Sequence, residues 1–208
     1  MPFTCGRRIS VPWLLPATVV ALAAVIAGSS AVLYRVGALA RLLGTGGFTS
    51  QIERQTPHAV AFERPRLWAG LSEGFLLGPL AEAGIMSAHI AIDGEPSAER
   101  DPQYPRPSEP YVSLADFANR WLPRMREVVA DKQGHVAGRT ARDVTYDFVF
   151  FGNGHGAPPA PSVPARGRSV FFEDRGYFYR LHYEAARDEF DRYLDVFERL
   201  VATFQFLD

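Results

Sequence analysis

The first part of the chain contains one long apolar segment. From position 11 it runs for 23 residues without a charged side chain. As a helix it would extend roughly 34 Å, enough to cross the hydrocarbon core of a bilayer, which is about 30 Å thick. Trp13 and Tyr34 lie at its ends, where amphipathic rings favour the headgroup layer. The pattern predicts a single transmembrane helix over residues 11–34, after a short basic N-terminus over residues 1–10.

A cleaved signal peptide is the alternative interpretation of this segment. Arg7 and Arg8 form a basic n-region, and Ser29-Ser30-Ala31 offers small residues for cleavage, so removal of residues 1–31 stays open. The apolar run exceeds the usual h-region of about 7–15 residues, which favours a retained span. We therefore expect a single-pass membrane protein with an extracytoplasmic C-terminal domain.

The remaining chain has the pattern of a tether followed by one domain. Residues 35–56 are predicted to form the helix end and a Gly-rich tether, because Gly44-Thr45-Gly46-Gly47 would break a helix. The domain is assigned to residues 57–208. Within it, alternation of apolar and polar side chains predicts strands at 58–62, 85–92, 144–150, 168–173 and 176–183, with a short closing strand at 204–206. No strand is predicted over 68–84.

Two helices are predicted from apolar residues at helical spacing. The first opens at Ser113-Leu-Ala-Asp116, which resembles a capping box. It is expected to kink near Arg120, because Pro123 lies inside it, and to end at Gly134. The second is expected from Glu184 to about Thr203.

The segments between these elements indicate how the strands connect. Residues 93–112 carry five prolines and residues 152–167 are rich in Gly and Pro, so both are predicted loops. Asp174-Arg175-Gly176 is predicted to be a hairpin turn. Consecutive hairpins imply antiparallel pairing, and two helices need sheet surface to cover, so the predicted fold class is α+β.

Three segments of the domain carry a resemblance to a known family. They are Tyr179-x-Leu181-x-Tyr183-x-Ala185 with Phe190 and Phe197-x-x-Leu200-Val201-x-Thr203-Phe204-x-Phe206, the segment Ser113-Leu-Ala-Asp-Phe-Ala118, and the segment Gly138-Arg-Thr-Ala-Arg-Asp-Val-Thr-Tyr146. In order and spacing they cover about residues 57–207 and resemble the PsbP-like family, which shares its fold with Mog-type Ran-binding proteins and several bacterial envelope proteins. The resemblance implies an antiparallel sheet with helices on both faces and a non-enzymatic accessory or binding role. It transfers no ligand residue.

Composition excludes several other classes of protein. The 208 residues are 47% hydrophobic and 12% aromatic, which excludes disorder throughout, and the lone Cys5 excludes a disulfide scaffold. The net charge is −1, and all 23 acidic residues follow residue 50. A mildly acidic domain offers no excess of positive charge for phosphates, so no nucleic-acid partner is expected.

One short motif is typical of a serine hydrolase. Gly70-Leu-Ser72-Glu-Gly74 matches the G-x-S-x-G nucleophile elbow. That elbow requires Ser72 on a tight strand-to-helix turn with a histidine in hydrogen-bond reach, and it follows several earlier strands. Only about a dozen domain residues precede Ser72, so hydrolysis is the least favoured function.

The histidines and carboxylates give no recognised metal or catalytic spacing. The five histidines are at positions 58, 89, 135, 155 and 182. His89 and His182 point off the apolar faces of their strands and would meet on one sheet face if those strands are neighbours. The acidic residues of the last helix alternate with arginines and are expected to be solvated. No catalytic, cofactor or metal residue is therefore predicted.

These patterns favour a membrane-anchored, non-enzymatic domain that docks a protein partner. The expected contact elements are the loops 93–112 and 152–167, because Gly/Pro-rich segments can order on binding. The alternative is a small-ligand or lipid-binding envelope protein with an aromatic-lined pocket between sheet and helix.

Overall fold

A computed structural model describes residues 44–54, 56–72, 74–81, 86–97, 111–124, 126–151 and 162–207. The predicted transmembrane helix and the basic N-terminus lie outside the described residues, and so do most of the two predicted docking loops.

The described chain forms ten strands and two helices. The strands are β1 (Phe48–Glu53), β2 (Val60–Pro65), β3 (Ala69–Ser72), β4 (Phe75–Leu80), β5 (Ser87–Pro96), β6 (Arg126–Val136), β7 (Arg139–Phe150), β8 (Val163–Asp174), β9 (Tyr177–Ala186) and β10 (Gln205–Phe206). The helices are α1 (Leu114–Trp121) and α2 (Phe190–Thr203). Among the described residues, neither helix combines the length and the apolar character that crossing a bilayer would require.

The strands form two antiparallel sheets. The larger has seven strands in the order β3-β4-β5-β9-β8-β7-β6, and the smaller has the order β1-β2-β10. β1, within the stretch that the sequence assigns to the tether, pairs with β2 along its whole length. Antiparallel sheets with two helices confirm the predicted α+β class.

The helices pack on opposite faces of the seven-stranded sheet because side chains alternate along each strand. On one face, Tyr183 of β9 and its alternate neighbours form the main core with Phe197 and the rest of the buried side of α2. On the other face, Phe117 of α1 packs with Phe171 and Phe178. The face covered by α1 is called the α1 face below.

The predicted long helix through Pro123 to Gly134 is wrong. α1 ends at Trp121, and Leu122 already has extended dihedral angles (φ −72°, ψ 139°). The proline explains this, since it disfavours helical geometry in the residue before it. The chain then forms β6, whose pairing with β7 outweighs the helical spacing of its apolar side chains.

Other boundaries also differ from the sequence prediction. β3 and β4 form a hairpin within 68–84, where no strand is predicted. Both β3–β4 and β4–β5 contain register shifts, which interrupt the alternation that a sequence pattern relies on. β5 extends to Pro96, inside the predicted loop 93–112, because it pairs with β9 as far as Tyr177. β9 in turn extends to Ala186, so the last helix begins later than predicted.

The turn between β8 and β9 is confirmed and is tied by a buried carboxylate. Arg175 (φ 50°) and Gly176 (φ 79°) are both left-handed, as a tight hairpin turn requires. Asp174 accepts from Arg139 Nε at 2.7 Å and from Arg175 Nε at 2.8 Å, and its side chain is 1% exposed. Burial by itself raises the pKa of Asp174, but these two hydrogen bonds outweigh it and hold the pKa below its usual value.

The lowered pKa of Asp174 makes the stabilisation by this carboxylate dependent on pH. Asp174→Asn is expected to lower the free energy of unfolding at pH 7 by about 1–2 kcal/mol, because it removes charge-assisted hydrogen bonds. The wild-type advantage is present above the unfolded pKa and lost as the pH falls through the lowered folded pKa, so the gap should begin to narrow near about pH 4 and shrink further toward about pH 2. Urea unfolding between pH 2 and 7 measures it, with exposed Asp188→Asn as control. A gap as large at pH 2 as at pH 7 would contradict this account.

Candidate functional site

A buried polar cluster lies on the α1 face of the seven-stranded sheet. It consists of His89 on β5, Tyr146 on β7, Ser169 on β8, and His182 and Glu184 on β9. β5 and β9 are neighbours, with His89 opposite Glu184. The expectation that His89 and His182 meet on one sheet face is therefore confirmed, and their ring centroids are 5.7 Å apart.

His182 lies at the centre of this cluster. Its Nε2 is 3.1 Å from Glu184 Oε1, and its Nδ1 is 2.9 Å from Ser169 Oγ. The Tyr146 hydroxyl donates to Glu184 Oε1 at 3.1 Å and lies 3.4 Å from Ser169 Oγ. Ser169 and Tyr146 are fully buried, so these polar groups are satisfied within the protein.

A glycine makes room for the tyrosine. Gly167 is directly opposite Tyr146 in the β7–β8 register. A Cβ atom at Gly167 would lie 2.5 Å from Cζ of the Tyr146 ring, closer than carbon atoms can approach. The Tyr146 ring lies over Gly167, and its hydroxyl therefore reaches Glu184, which is opposite Gly167 on the other side.

His89 is held at the margin of the cluster. Its Nδ1 lies 3.3 Å from the carbonyl oxygen of Ser87. Because a carbonyl only accepts, this contact is a hydrogen bond in which Nδ1 is the donor. The Nε2 atom of His89 is 3.5 Å from Glu184 Oε2. Phe75 stacks on the His89 ring with centroids 5.4 Å apart, which fixes the ring plane.

The pKa values of the cluster follow from burial and from its charges. Burial by itself raises the pKa of Glu184, but His182, then His89 and Tyr146, outweigh it and lower the pKa to about 2. Burial, followed by the charge on His182, lowers the pKa of His89. Burial and the Glu184 carboxylate raise the pKa of Tyr146. At neutral pH, Glu184 is therefore ionised, His89 is neutral and Tyr146 remains a donor.

Ser169, His182 and Glu184 are connected in the order of a serine-hydrolase triad, but Ser169 is not placed to attack a substrate. It lies in the middle of β8, opposite Val144 on one side and His182 on the other. Its side chain is fully buried, and the strand ladders on both sides hold its backbone. A nucleophile needs access to its substrate, and this buried position provides none.

The second serine candidate also lacks its required backbone context. Ser72 ends β3, and β4 begins at Phe75, so the turn after Ser72 joins two strands. The nucleophile elbow needs a strand-to-helix turn. The G-x-S-x-G match therefore belongs to a hairpin.

The remaining histidines lie elsewhere. His58 Nδ1 is 2.6 Å from the Tyr179 hydroxyl, His135 is exposed on β6, and His155 lies outside the described residues. Sequence reasoning missed Tyr146, Ser169 and Glu184 as members of the cluster. A usable signal existed for Glu184, since it continues the alternation of His182 once β9 is extended by one residue past 183.

Apart from the buried polar cluster, the edge strand β6 is a notable feature of the surface. It is the last strand of its sheet, and seven consecutive residues, 127–133, are exposed. Val128 and Val129 are 49% and 50% exposed. Near the start of β6 a groove of about 500 Å³ is lined by Phe148, Phe151 and several arginines. The exposed residues 127–133 are called the β6 edge below.

Comparisons with known proteins give structural similarity only. The sequence matches no protein-family model and no curated protein. The fold is similar to cyanobacterial PsbP (CyanoP) from Synechocystis sp. PCC 6803, with a TM-score of 0.47, 12% identity, and coverage of 79% of this chain and 95% of that one. It is also similar to LpqN of Mycobacterium tuberculosis, involved in cell envelope biogenesis, with a TM-score of 0.47, 9% identity, and coverage of 77% and 92%. A PsbP protein is thus among the structural neighbours of this chain.

Proposed function

We propose that this chain is a non-catalytic accessory protein, anchored in a membrane through residues 11–34, whose domain docks a protein partner at the β6 edge. The observation that carries the proposal is a long, exposed edge strand with two adjacent exposed valines. The occupant would be an extended segment of the partner that adds a strand to the sheet and places small apolar side chains on the valines.

The chemistry of the β6 edge supports this mode of binding. Proteins normally protect edge strands with prolines, lysines or short length. The β6 strand has eleven residues, no proline and one lysine. Two of its charged groups pair with the neighbouring strand: Asp131 accepts twice from Arg142, and Lys132 lies 3.7 Å from Asp143. The β6–β7 register shifts once, between Val128 and Ala130. The valines lie between these pairs and the start of the strand, and a paired strand would bury them.

The membrane segment would contribute by confinement. An anchor holds the domain near a bilayer, which raises its effective concentration toward a partner in the same membrane. We further propose that the domain lies outside the cytoplasm, because Arg7, Arg8 and the amino terminus precede the span and positive charge favours the cytoplasmic side. A weak edge-strand contact is then sufficient for stable association.

Packing supports docking over the small-ligand alternative. That alternative needs an open apolar cavity between sheet and helix. In the described part of the interface with α2, Tyr183 stands 4.9 Å from Phe190 and 5.7 Å from Phe197, centroid to centroid. These rings and Leu200 are buried and in contact, so side chains fill this layer.

The test places a photo-crosslinking residue at Val129 of the full chain in its native membrane. We expect one dominant crosslinked protein, and we expect Val128→Lys with Val129→Lys to weaken its capture at least about tenfold, because charges oppose strand addition. The matched control is Ile52→Lys, which changes an equally exposed aliphatic residue on the other sheet. Capture that survives the double substitution, or is lost equally in the control, would reject docking at the β6 edge.

A further inference from the structure

We propose that His89, His182 and Glu184 form a binding site for one divalent transition metal ion of the zinc type, with two imidazole nitrogens and one carboxylate oxygen as ligands. Their ligand atoms all lie within 4.8 Å of one another on the α1 face. The inference goes beyond docking and does not depend on it, because the ligands lie on the central strands β5 and β9, whereas β6 is an edge strand.

The ligand atoms are held in place by hydrogen bonds within the sheet. The Tyr146 hydroxyl donates to Glu184 Oε1 at 3.1 Å, and Ser169 Oγ lies 2.9 Å from His182 Nδ1. The contact with Ser169 occupies Nδ1 of His182 and leaves Nε2, 3.1 Å from Glu184 Oε1, as the atom that would bind an ion. Nε2 of His89 has a similar position, 3.5 Å from Glu184 Oε2.

Two imidazole rings and one carboxylate converge on one point of the α1 face, with nitrogen-to-oxygen distances of 3.1 Å and 3.5 Å. A proton shared between His182 and Glu184 satisfies that pair alone. A metal ion, which binds neutral imidazole and carboxylate, would engage all three groups at once.

The distances suit a tetrahedral ion. Zinc binds histidine nitrogen and carboxylate oxygen at about 2.0–2.2 Å, which places neighbouring ligands about 3.3 Å apart at tetrahedral angles. The distances from His182 Nε2 to Glu184 Oε1 and from His89 Nε2 to Glu184 Oε2 lie on either side of that value, so each nitrogen lies at ligand spacing from the nearer carboxylate oxygen. Three protein ligands leave a fourth position for water.

Each ligand also has the supporting partner that metal sites require. Metal-binding histidines donate their other ring N–H to a neighbouring acceptor, and ligating carboxylates are themselves hydrogen-bonded. The Ser87 carbonyl serves His89, Ser169 serves His182 and Tyr146 serves Glu184. The ligands stand on adjacent paired strands, so the backbone holds them in place.

The three ligand residues also indicate how an ion would enter the site and which ions it would prefer. The side chains of His89 and Glu184 are 18% and 12% exposed, which leaves a path from solvent, while His182 is at 6%. Two imidazoles with one carboxylate favour zinc, cobalt or nickel over magnesium and calcium, which take oxygen ligands.

The experiment uses the intact chain in detergent, without a polyhistidine tag, titrated with Co²⁺ and then with Zn²⁺. We expect one Co²⁺ per chain with the visible absorption of a tetrahedral site, displaced by Zn²⁺ and not by Mg²⁺. Glu184→Gln keeps the size of the side chain and should weaken Zn²⁺ binding at least about 100-fold. Ser169→Ala should weaken it about 10–100-fold by releasing His182.

Controls keep the outcome unambiguous. His135→Ala, and Cys5→Ser combined with His155→Ala, remove other potential ligands and should leave the affinity unchanged. Circular dichroism and melting without metal establish that each variant folds, and His89→Gln is a milder second variant at a more exposed position. Absence of saturable binding, or binding that survives Glu184→Gln and His89→Gln, would overturn the proposal. A cluster held only by a shared proton gives the first of these results.

Discussion

Replacement of Phe197 by alanine is expected to lower the free energy of unfolding by about 3–5 kcal/mol, the range typical of a fully buried phenylalanine. Phe197 has no exposed surface and lies at the centre of the face by which α2 covers the sheet. Its ring stacks on Tyr183, and the Arg168 guanidinium lies 5.7 Å from the ring centroid. The substitution leaves a cavity between rigid elements and removes these ring contacts.

Thermal and urea unfolding of the variant measure this effect. For a domain of this size each kcal/mol corresponds to roughly 2–4 °C, so Tm should fall by about 10 °C. Phe151→Ala is the matched control, since the same atoms are removed from a side chain that is 59% exposed. Its effect should stay within about 0.5 kcal/mol. Equal losses in both variants would mean that α2 is not packed as described.

Replacement of Gly167 by valine is expected to cost about 3 kcal/mol. The new Cβ would overlap the Tyr146 ring, and the fully buried ring has no free space to enter. Overpacking in a rigid interior costs about 1–3 kcal/mol, and the central position of this pair places it at the upper end. Movement of Tyr146 would also break its hydrogen bond to Glu184.

A double-mutant cycle tests the stated cause. Adding Tyr146→Leu to Gly167→Val removes the ring that causes the overlap, so the two effects should be less than additive. Gly134→Val is the control, because a Cβ at Gly134 would meet nothing within 4 Å. Additive losses in the cycle, or a comparable loss at Gly134, would contradict the steric explanation.

Sequence reasoning succeeded where a local rule decides the structure. The Ser113 side chain does accept from the Asp116 amide, as the capping pattern predicts. The turn at Asp174 and the alternation of β7, β8 and β9 were readable for the same reason, since turn dihedrals and two-residue periodicity depend on adjacent residues.

It failed where pairing between distant strands outweighs local preference. β6 carries apolar residues at helical spacing, yet β7 pairs with it along almost its whole length. The segment 184–189 has helical character, yet its first residues extend β9 because β5 and β8 lie on either side. Pairing energy depends on which strand is the neighbour, and local periodicity does not contain that information.

In the candidate metal site, too, local patterns predicted some residues and the pairing of distant strands brought in the others. His89 and His182 could be assigned to polar faces from alternation alone, and their meeting was conditional on strand order. Tyr146 was out of reach of sequence reasoning, because it belongs to an apolar pattern and joins the cluster only through its hydroxyl. Glu184 could have been assigned to the same face by continuing the alternation of His182.

The sequence by itself determined the class of the domain, the β8–β9 hairpin and the sides of β5, β7 and β9 that face the interior, because these follow from periodicity and turn chemistry. Only the tertiary structure decided that β5 and β9 are neighbours, that β6 is an edge, and that two histidines and a glutamate converge. Those facts depend on contacts between residues separated by many positions, as between His89 and Glu184, and such contacts form only when the whole sheet is assembled.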